Sequence, residues 1–529
     1  MASHPIYRRR FITGFAAALA ACKASPEKQP LTFSCDPTTG LQHLEDGSHL
    51  EEPDLESNPF LLGVASGDPL HDRVIIWTRL SMELDAIDGR GGMSDEQIPV
   101  HWEVSHSEDF TDIVNSGTVA AIPELAHAVH VDVDGLEPLT SYFYRFQVGT
   151  WISPIGKTKT TPCIGQPVDG ISFAVTSCQR WEDGFFTPHE HLAEENIDVV
   201  FHVGDYIYEY GEQDNVVREL TGTEIIDLAS YRNRYALYRS DPALQKAHAA
   251  FPWKVVWDDH EVDNNYTIED DNPEFIRRQA EAFQAFYEHM PIRIPIPTSH
   301  EVHLYHAFKW GSLAKFIILD TRQYRDEHAC EDTEESGCPD VNDDSRTVLG
   351  TQQRQWLSEK LDEDDTTWNV IVQQIVMGNF KINGELLNYD MWDGYPPARQ
   401  SIMDEVEQKS VANFLVISGD IHIGGIALLH SDVEDFDSKI IGVEVVTPSL
   451  TSNSRELEST GPLLEFGLNN LENISYVNAT KRGYVVIDMN EQQSVVRYRL
   501  VDTVEVESSP IQTTAEYSIL ADSLKVVAT

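Results

Sequence analysis

The sequence predicts an α/β domain preceded by an all-β sandwich, and three observations predict it. Between Phe60 and Thr161, short β-branched and aromatic runs are separated by turn residues, with no competing helical period. After Gly170, apolar runs alternate with helical patterns, as expected of strands buried on both faces of an α/β assembly. Side chains that bind metals or move protons stand where those apolar runs stop. A chain of 529 residues has room for more than one domain, and 41% hydrophobic with 24% charged residues excludes a disordered or collagen-like polymer.

Taken in order, residues 1–30 read as an export segment. Arg8, Arg9 and Arg10 precede an apolar stretch, Phe11 to Ala21, too short to span a bilayer. Arg-Arg-x-Phe-Ile resembles a twin-arginine signal, the route for proteins folded before crossing the membrane. Leu19-Ala20-Ala21-Cys22 resembles a lipobox that would place a lipid anchor on Cys22; the alternative is an ordinary cleaved signal with an incidental cysteine. The expected location is periplasmic, cell-surface or secreted. Five cysteines follow in that oxidising setting. Cys330 and Cys338 bracket an acidic loop and can close it, Cys35 and Cys163 flank the first domain and can also pair, and Cys178 is left over.

Residues 58–161 are the predicted sandwich, carried by VIIWTRL, HWEVSHS, AVHVDVDGL and SYFYRFQVG. Gly135 to Tyr144 resembles the turn and tyrosine-bearing strand of a fibronectin type III-like domain, a packing motif without chemistry. Pro154, Pro162 and Pro167, with several glycines, mark the boundary. Residues 170–500 are the α/β domain, with ISFAVTS, VVFHVGD, WKVVWDD, LAKFIILD, WNVIVQQIVMG, NFLVISGD and IIGVEVVTP as its strands. Asn272 and Pro273 open a helix whose apolar positions include Phe275, Phe283, Phe286 and Met290. Residues 501–529 are a C-terminal segment expected near the site as a gate. The acidic stretches near Glu45 to Glu56 and Glu331 to Asp344 read as solvated loops.

Charge narrows the function. The 87 carboxylates against 38 basic residues leave a formal net charge of −49, which repels phosphate backbones and anionic membranes, so specific nucleic-acid binding is not expected. An anionic substrate would need a local inversion of that field, and a bound multivalent cation is the usual device.

The strand ends supply suitable ligands. Successive runs end at Ser177-Cys178-Gln179, Gly204-Asp205-Tyr206-Ile207-Tyr208, Asp258-Asp259-His260-Glu261, Asp320-Thr321-Arg322, Gln373-Gln374 and Gly419-Asp420-Ile421-His422. Ligand sites of open α/β sheets gather at the carboxyl ends of strands, so these groups should converge on one crevice. Singly, each has a plainer reading as a turn, a buried thiol or a hydrogen-bonded imidazole. Together they predict a metal site.

SCQ, GDYIYEY, WDDHEVDNN, LDTRQYR, LGTQQRQWL, MWDGYPPAR and SGDIHIG carry a resemblance to the PhoD-like alkaline phosphatases of the calcineurin-like metallophosphoesterase superfamily, over most of the chain from about Phe60 to Asp488. The resemblance implies a four-layer αββα metallophosphoesterase sandwich and a site with iron(III) and calcium. Cys178, Tyr208 and His422 would bind iron, and Asp205 would bridge iron to calcium. Asp420 and Asp259 would favour the harder cation, with Asn264 and Gln374 as weaker candidates. It further implies hydrolysis of small phosphate mono- or diesters by in-line attack of a metal-activated water, with His260 stabilising the transition state or protonating the leaving oxygen and Arg322 as a phosphoryl clamp or else a structural salt bridge. Trp392, Asp393 and Tyr395 would form a loop over the entrance, with Arg399 either orienting it or touching substrate. A monomer is expected. Two other readings are an inactive metal-stabilised surface binding lipoprotein and a purple acid phosphatase-like metallohydrolase. The second expects histidine at Asp420.

Overall fold

The computed structural model describes residues 35, 38, 40, 41, 45–268, 272–329, 338–382 and 388–529. The export segment with Cys22 therefore lies outside the described residues, as does Cys330. Among the described residues, no helix is long and apolar enough to cross a membrane.

Two mixed sheets form the centre. The ten-stranded sheet contains three adjacent parallel strands, Ile171–Thr176, Val199–Val203 and Pro252–Val256. The seven-stranded sheet contains Ala314–Ile318, Trp368–Val372 and Phe414–Ser418, also parallel. Period-two alternation divides each strand between two cores. Phe173 and Phe201 meet Phe316 edge-on and tilted, at 5.5 and 5.1 Å between ring centroids, so these residues fill the space between the sheets. Their neighbours point outward: Ile317, Ile371 and Val416 pack with Leu357, Ile402 and Met403 from the helices Gly350–Leu361 and Pro396–Lys409. On the other side, Pro273–His289 covers the ten-stranded sheet, where the indole N–H of Trp77 donates to the Glu288 carbonyl at 3.0 Å. The layers are helix, sheet, sheet, helix, as the resemblance implies.

The first domain is not a closed unit. A five-stranded sheet carries Ile98–Ser105, Ile113–Ala121 and Ser141–Val148. The opposing strands Val64–Gly67, Val74–Arg79 and Ala128–Val133 belong to the ten-stranded sheet, because Val64–Gly67 pairs in parallel with Pro252–Val256. The sandwich therefore shares one of its two layers with the α/β part. The apolar runs of these strands are local signals and carry no information about so distant a pairing. Tyr142, from the fibronectin-like motif, is fully buried and its hydroxyl accepts the Glu137 N–H at 2.7 Å. Cys35 and Cys163 form a disulfide, Cys338 is disulfide-bonded, and Cys178 is a buried free thiol.

The segment 501–529, expected as a gate, runs largely as sheet edge. Ile511–Leu520 pairs with Gln493–Val501, and the turn between them rests on the stretch from Phe185 to His191, where Phe185 N–H donates to Val504 O at 2.7 Å.

Candidate metal centre

The parallel strands of both sheets deliver their carboxyl ends to one crevice. Four of the delivered residues, Cys178, Asp205, Asp420 and His422, have left-handed backbones with φ of 55°, 57°, 66° and 60°. For a residue with a Cβ this costs about 1–2 kcal/mol each. Preceding glycines allow close approach: a Cβ on Gly204 would stand 2.3 Å from Asp258 Cβ, and one on Gly419 2.6 Å from Ser177 Oγ.

Three overlapping groups result, each with its ligand atoms within 4.8 Å of one another: Cys178, Asp205 and His422; Asp205, Asp259 and His260; and Asp258, Asp259 and Asp420. Asp205 is common to the first two and Asp259 to the last two. Tyr208 joins the first group, its hydroxyl donating to Asp205 Oδ2 at 2.8 Å and standing 3.3 Å from His422 Nε2. Among the described residues, one carboxylate oxygen each of Asp205, Asp258, Asp259 and Asp420 is buried without a hydrogen-bond partner. Buried carboxylate oxygens are costly unless paired, so four of them around one space is the arrangement a cation cluster satisfies. The donor types also sort: sulfur, phenol and imidazole lie at one end and carboxylates alone at the other, which suits a transition-metal ion beside a hard alkaline-earth ion.

Titration behaviour points the same way. Burial, reinforced by Asp205, pushes the Cys178 thiol and the Tyr208 phenol well above their ordinary ranges. Burial likewise raises the carboxyls of Asp205 and Asp420 well above theirs, and lifts Asp258 to about 6 against the pull of Arg322. Burial drives His422 down to about 3, leaving a neutral imidazole able to coordinate. His260 is opposite: burial opposes its charge, but Asp259, Asp205 and Glu209 outweigh that and hold it well above the usual imidazole range. Its Nδ1–H donates to Glu209 Oε2 at 2.8 Å, which leaves Nε2 as its other nitrogen.

Other sequence-predicted residues take different positions. Arg322 is fully buried; its Nε donates to Asp258, and its two terminal nitrogens bond Asp390 at 2.8 and 2.6 Å. Gln374 is spent on the chain itself, accepting from Thr321 and donating to Leu319 O. Asn264 is exposed, and its side-chain oxygen accepts the Tyr210 hydroxyl at 3.0 Å. Arg399 is buried against Asp393 at 2.6 Å and the carbonyls of Met377 and Gly378, which fixes the loop bearing Trp392 and Tyr395.

Several participants are given no role by the sequence. Glu261 accepts the backbone N–H groups of Asp205, Tyr206 and Asp258 at 3.2, 2.5 and 2.8 Å, tying two strand ends together, and burial pushes it up to about 8. Its place in Asp-Asp-His-Glu is the available signal, as is that of Asp258. Ser452 Oγ sits 2.8 Å from both the Cys178 carbonyl oxygen and the Tyr208 hydroxyl. It follows the run IIGVEVVTP, whose end carries hydroxyls and no residue of the usual ligand types. Asp390 gathers Arg322, Arg325 and His328, and nothing in its local sequence marks it.

Fold and site together define a two-sheet α/β protein with a buried, cation-seeking cluster at its strand ends. Residues 47–162 match the family described as PhoD-like phosphatase, N-terminal domain, and residues 173–498 match PhoD-like phosphatase. The sequence is 43% identical over 481 residues to alkaline phosphatase D of Bacillus subtilis (strain 168), covering 88% of this chain and 81% of that protein. A solved structure titled "Structure of PhoD" aligns with a TM-score of 0.85 at 42% identity, covering 90% of this chain and 93% of that one. The chain belongs to the PhoD-like phosphatase family, the family its motifs resemble, and is an enzyme of that family.

Proposed function

We propose that the protein is an exported alkaline phosphatase and phosphodiesterase of small phosphate esters, working at a centre that holds ferric iron and calcium. The overlapping ligand groups joined through Asp205 and Asp259 carry this reading. Cys178, Tyr208 and His422, with Asp205, would hold the iron; Asp258, Asp259 and Asp420 would hold calcium, with Asn264 at the periphery. Bound there, the cations supply Lewis acidity to phosphoryl oxygens and lower the pKa of a water.

The chain's own residues do the rest. Glu209 fixes the His260 ring so that its Nε2 can give a proton to the leaving oxygen. Arg322 offsets the repulsion among Asp258, Asp259 and Asp420, the last two lying 3.7 and 3.6 Å from its Nη2. That makes it a positioning group beneath the cluster, not a contact to substrate. The proposed location follows the twin-arginine-like signal, with Cys22 as lipid anchor and the enzyme as a monomer.

Metal analysis of protein purified without chelator, joined to rates on a monoester and a diester of one leaving group, tests the proposal. Iron with calcium and turnover of either ester are expected, and Cys178→Ala should lose both iron and activity. Normal iron and normal turnover in that variant would overturn the assignment.

A further inference from the structure

A buried arginine stands at each end of the cluster, and the two differ in what surrounds them. Arg322, at the carboxylate end, is bonded to Asp258 and Asp390. Arg482, at the thiol end, is 3% exposed and bonds neutral oxygens: Nη1 donates to the His422 carbonyl at 2.7 Å and to Ser449 Oγ at 2.8 Å, and Nη2 donates to the Ala479 carbonyl at 2.9 Å. Among the described residues, no carboxylate stands at ion-pair distance from it and its Nε has no acceptor.

Those bonds lead to Cys178, Tyr208 and His422. Arg482 immediately precedes the strand Gly483–Met489, which pairs with Ile171–Thr176, the strand that runs on to Cys178. It holds the left-handed turn of His422 directly. Ser449 passes the contact on: its Oγ donates to the Ser452 carbonyl at 2.8 Å, and Ser452 Oγ in turn stands 2.8 Å from both the Cys178 carbonyl oxygen and the Tyr208 hydroxyl. A buried guanidinium that no carboxylate neutralises is costly, whereas thiol and phenol donors become anions when they take a metal ion. The charge of Arg482 is thus opposite in sign to that of the donors it ties together once they are loaded.

We propose that Arg482 is a positioning residue for the iron end of the centre, tying the turns of His422, Cys178 and Tyr208 together and supplying the positive charge that offsets the sulfur and phenol donors when they hold the ion. The inference rests on the metal-centre reading above and adds a residue to it. A planar fork reaches several oxygens at once, so lysine keeps the charge but not the tie, and glutamine keeps a donor but not the charge.

The test compares wild type with Arg482→Gln and Arg482→Lys, measuring iron affinity by competition with a chelator, calcium content, and the visible charge-transfer absorption of thiolate and phenolate on ferric iron. Partners that orient metal ligands are typically worth about 10- to 100-fold in metal affinity, so the glutamine variant should bind iron more weakly by about that factor, with calcium content at the wild-type level and the absorption band displaced. The lysine variant should lose less iron affinity and keep the band in place. Wild-type iron affinity and an unmoved band in the glutamine variant would overturn the inference. So would an equal fall of iron and calcium in both variants, which would make Arg482 a support of the fold and not of the iron end. If glutamine fails to fold, Ser449→Ala carries the comparison: weaker iron binding at unchanged calcium content is expected, and unchanged iron binding would overturn the inference. Failure of the parent reading looks different, because wild type itself would then bind no iron.

Discussion

Replacing Arg322 with methionine separates a group that holds carboxylates from one that holds substrate. The guanidinium is fully buried, contacts Asp258 through Nε, forms a two-bond pair with Asp390, and lies within ion-pair distance of Asp259 and Asp420. Methionine keeps much of the volume and removes the charge. Asp258 then loses the guanidinium that offsets its burial, whereas Asp390 keeps Arg325 and His328, each at 2.8 Å. Breaking a buried ion pair by removing one partner costs about 3–5 kcal/mol, a large share of a typical total of about 5–15 kcal/mol. Urea unfolding followed by tryptophan fluorescence, in chelator, should therefore show stability lowered by that amount. Added calcium should recover part of it, because a ligand at 100 times its Kd contributes about 2.7 kcal/mol. An Arg322→Met variant that unfolds at the wild-type midpoint in chelator while its KM for ester rises would refute this account, since a substrate clamp would behave that way.

Glu261→Gln should weaken cation binding without emptying the fold: one of the clamped N–H groups would then face an amide donor, an unmade buried bond of about 1–3 kcal/mol, seen as faster amide exchange at Asp205, Tyr206 or Asp258 and easier removal of metal by chelator. Cys35→Ser opens a link across a sequence separation of 128 residues and should cost about 2–5 kcal/mol in unfolding experiments, with wild-type metal content retained. His130 is buried on its strand, donates Nε2–H to Met290 O at 2.9 Å, and is driven by burial from its ordinary 6.5 down to about 4. Its neutral form contributes stability that is fully present above pH 6.5; as pH falls toward 4 the unfolded chain takes a proton that the folded one refuses, removing about 3 kcal/mol. Stability of His130→Gln measured from pH 7 to 4.5 should fall less steeply than wild type, and parallel slopes would count against that account.

The layers of the fold are legible in the sequence because each core strand is a short apolar run with turn or ligand residues at its end. Several such runs separated by helical patterns leave few alternatives to stacked α/β layers. The union of the sandwich with the ten-stranded sheet is not legible. Ser66 pairs with Pro252, and nothing in VASG distinguishes a strand that closes a separate sandwich from one that continues a neighbour's sheet. At the site, Cys178, Asp205, Asp259, Asp420 and His422 stand out as metal-seeking residues after strands. Arg322 shows the limit of that reasoning: its strand-end position is visible, but whether its guanidinium faces the substrate or the underside of the carboxylates depends on Asp390, 68 residues away in sequence.

The backbone of the ligand turns is also invisible in the sequence, and it explains why the motif includes residues that bind nothing. Glycine would adopt the left-handed conformation of Cys178, Asp205, Asp420 and His422 most easily, but it offers no ligand atom, so the proposed metal centre requires the fold to hold four side-chain-bearing residues there. At about 1–2 kcal/mol each, that strain rivals the whole stability of a marginal domain unless local bonds offset it. The offsets are identifiable. Glu261 pins the Asp205 turn through its N–H, Ser452 and Gly204 bond the carbonyl and N–H of Cys178, and Arg482 donates to the His422 carbonyl at 2.7 Å. These residues sit in sequence beside or far from the ligands with no coordinating role of their own. In the proposed metal centre, their task would be to keep a strained, mutually repulsive set of donors assembled without a cation.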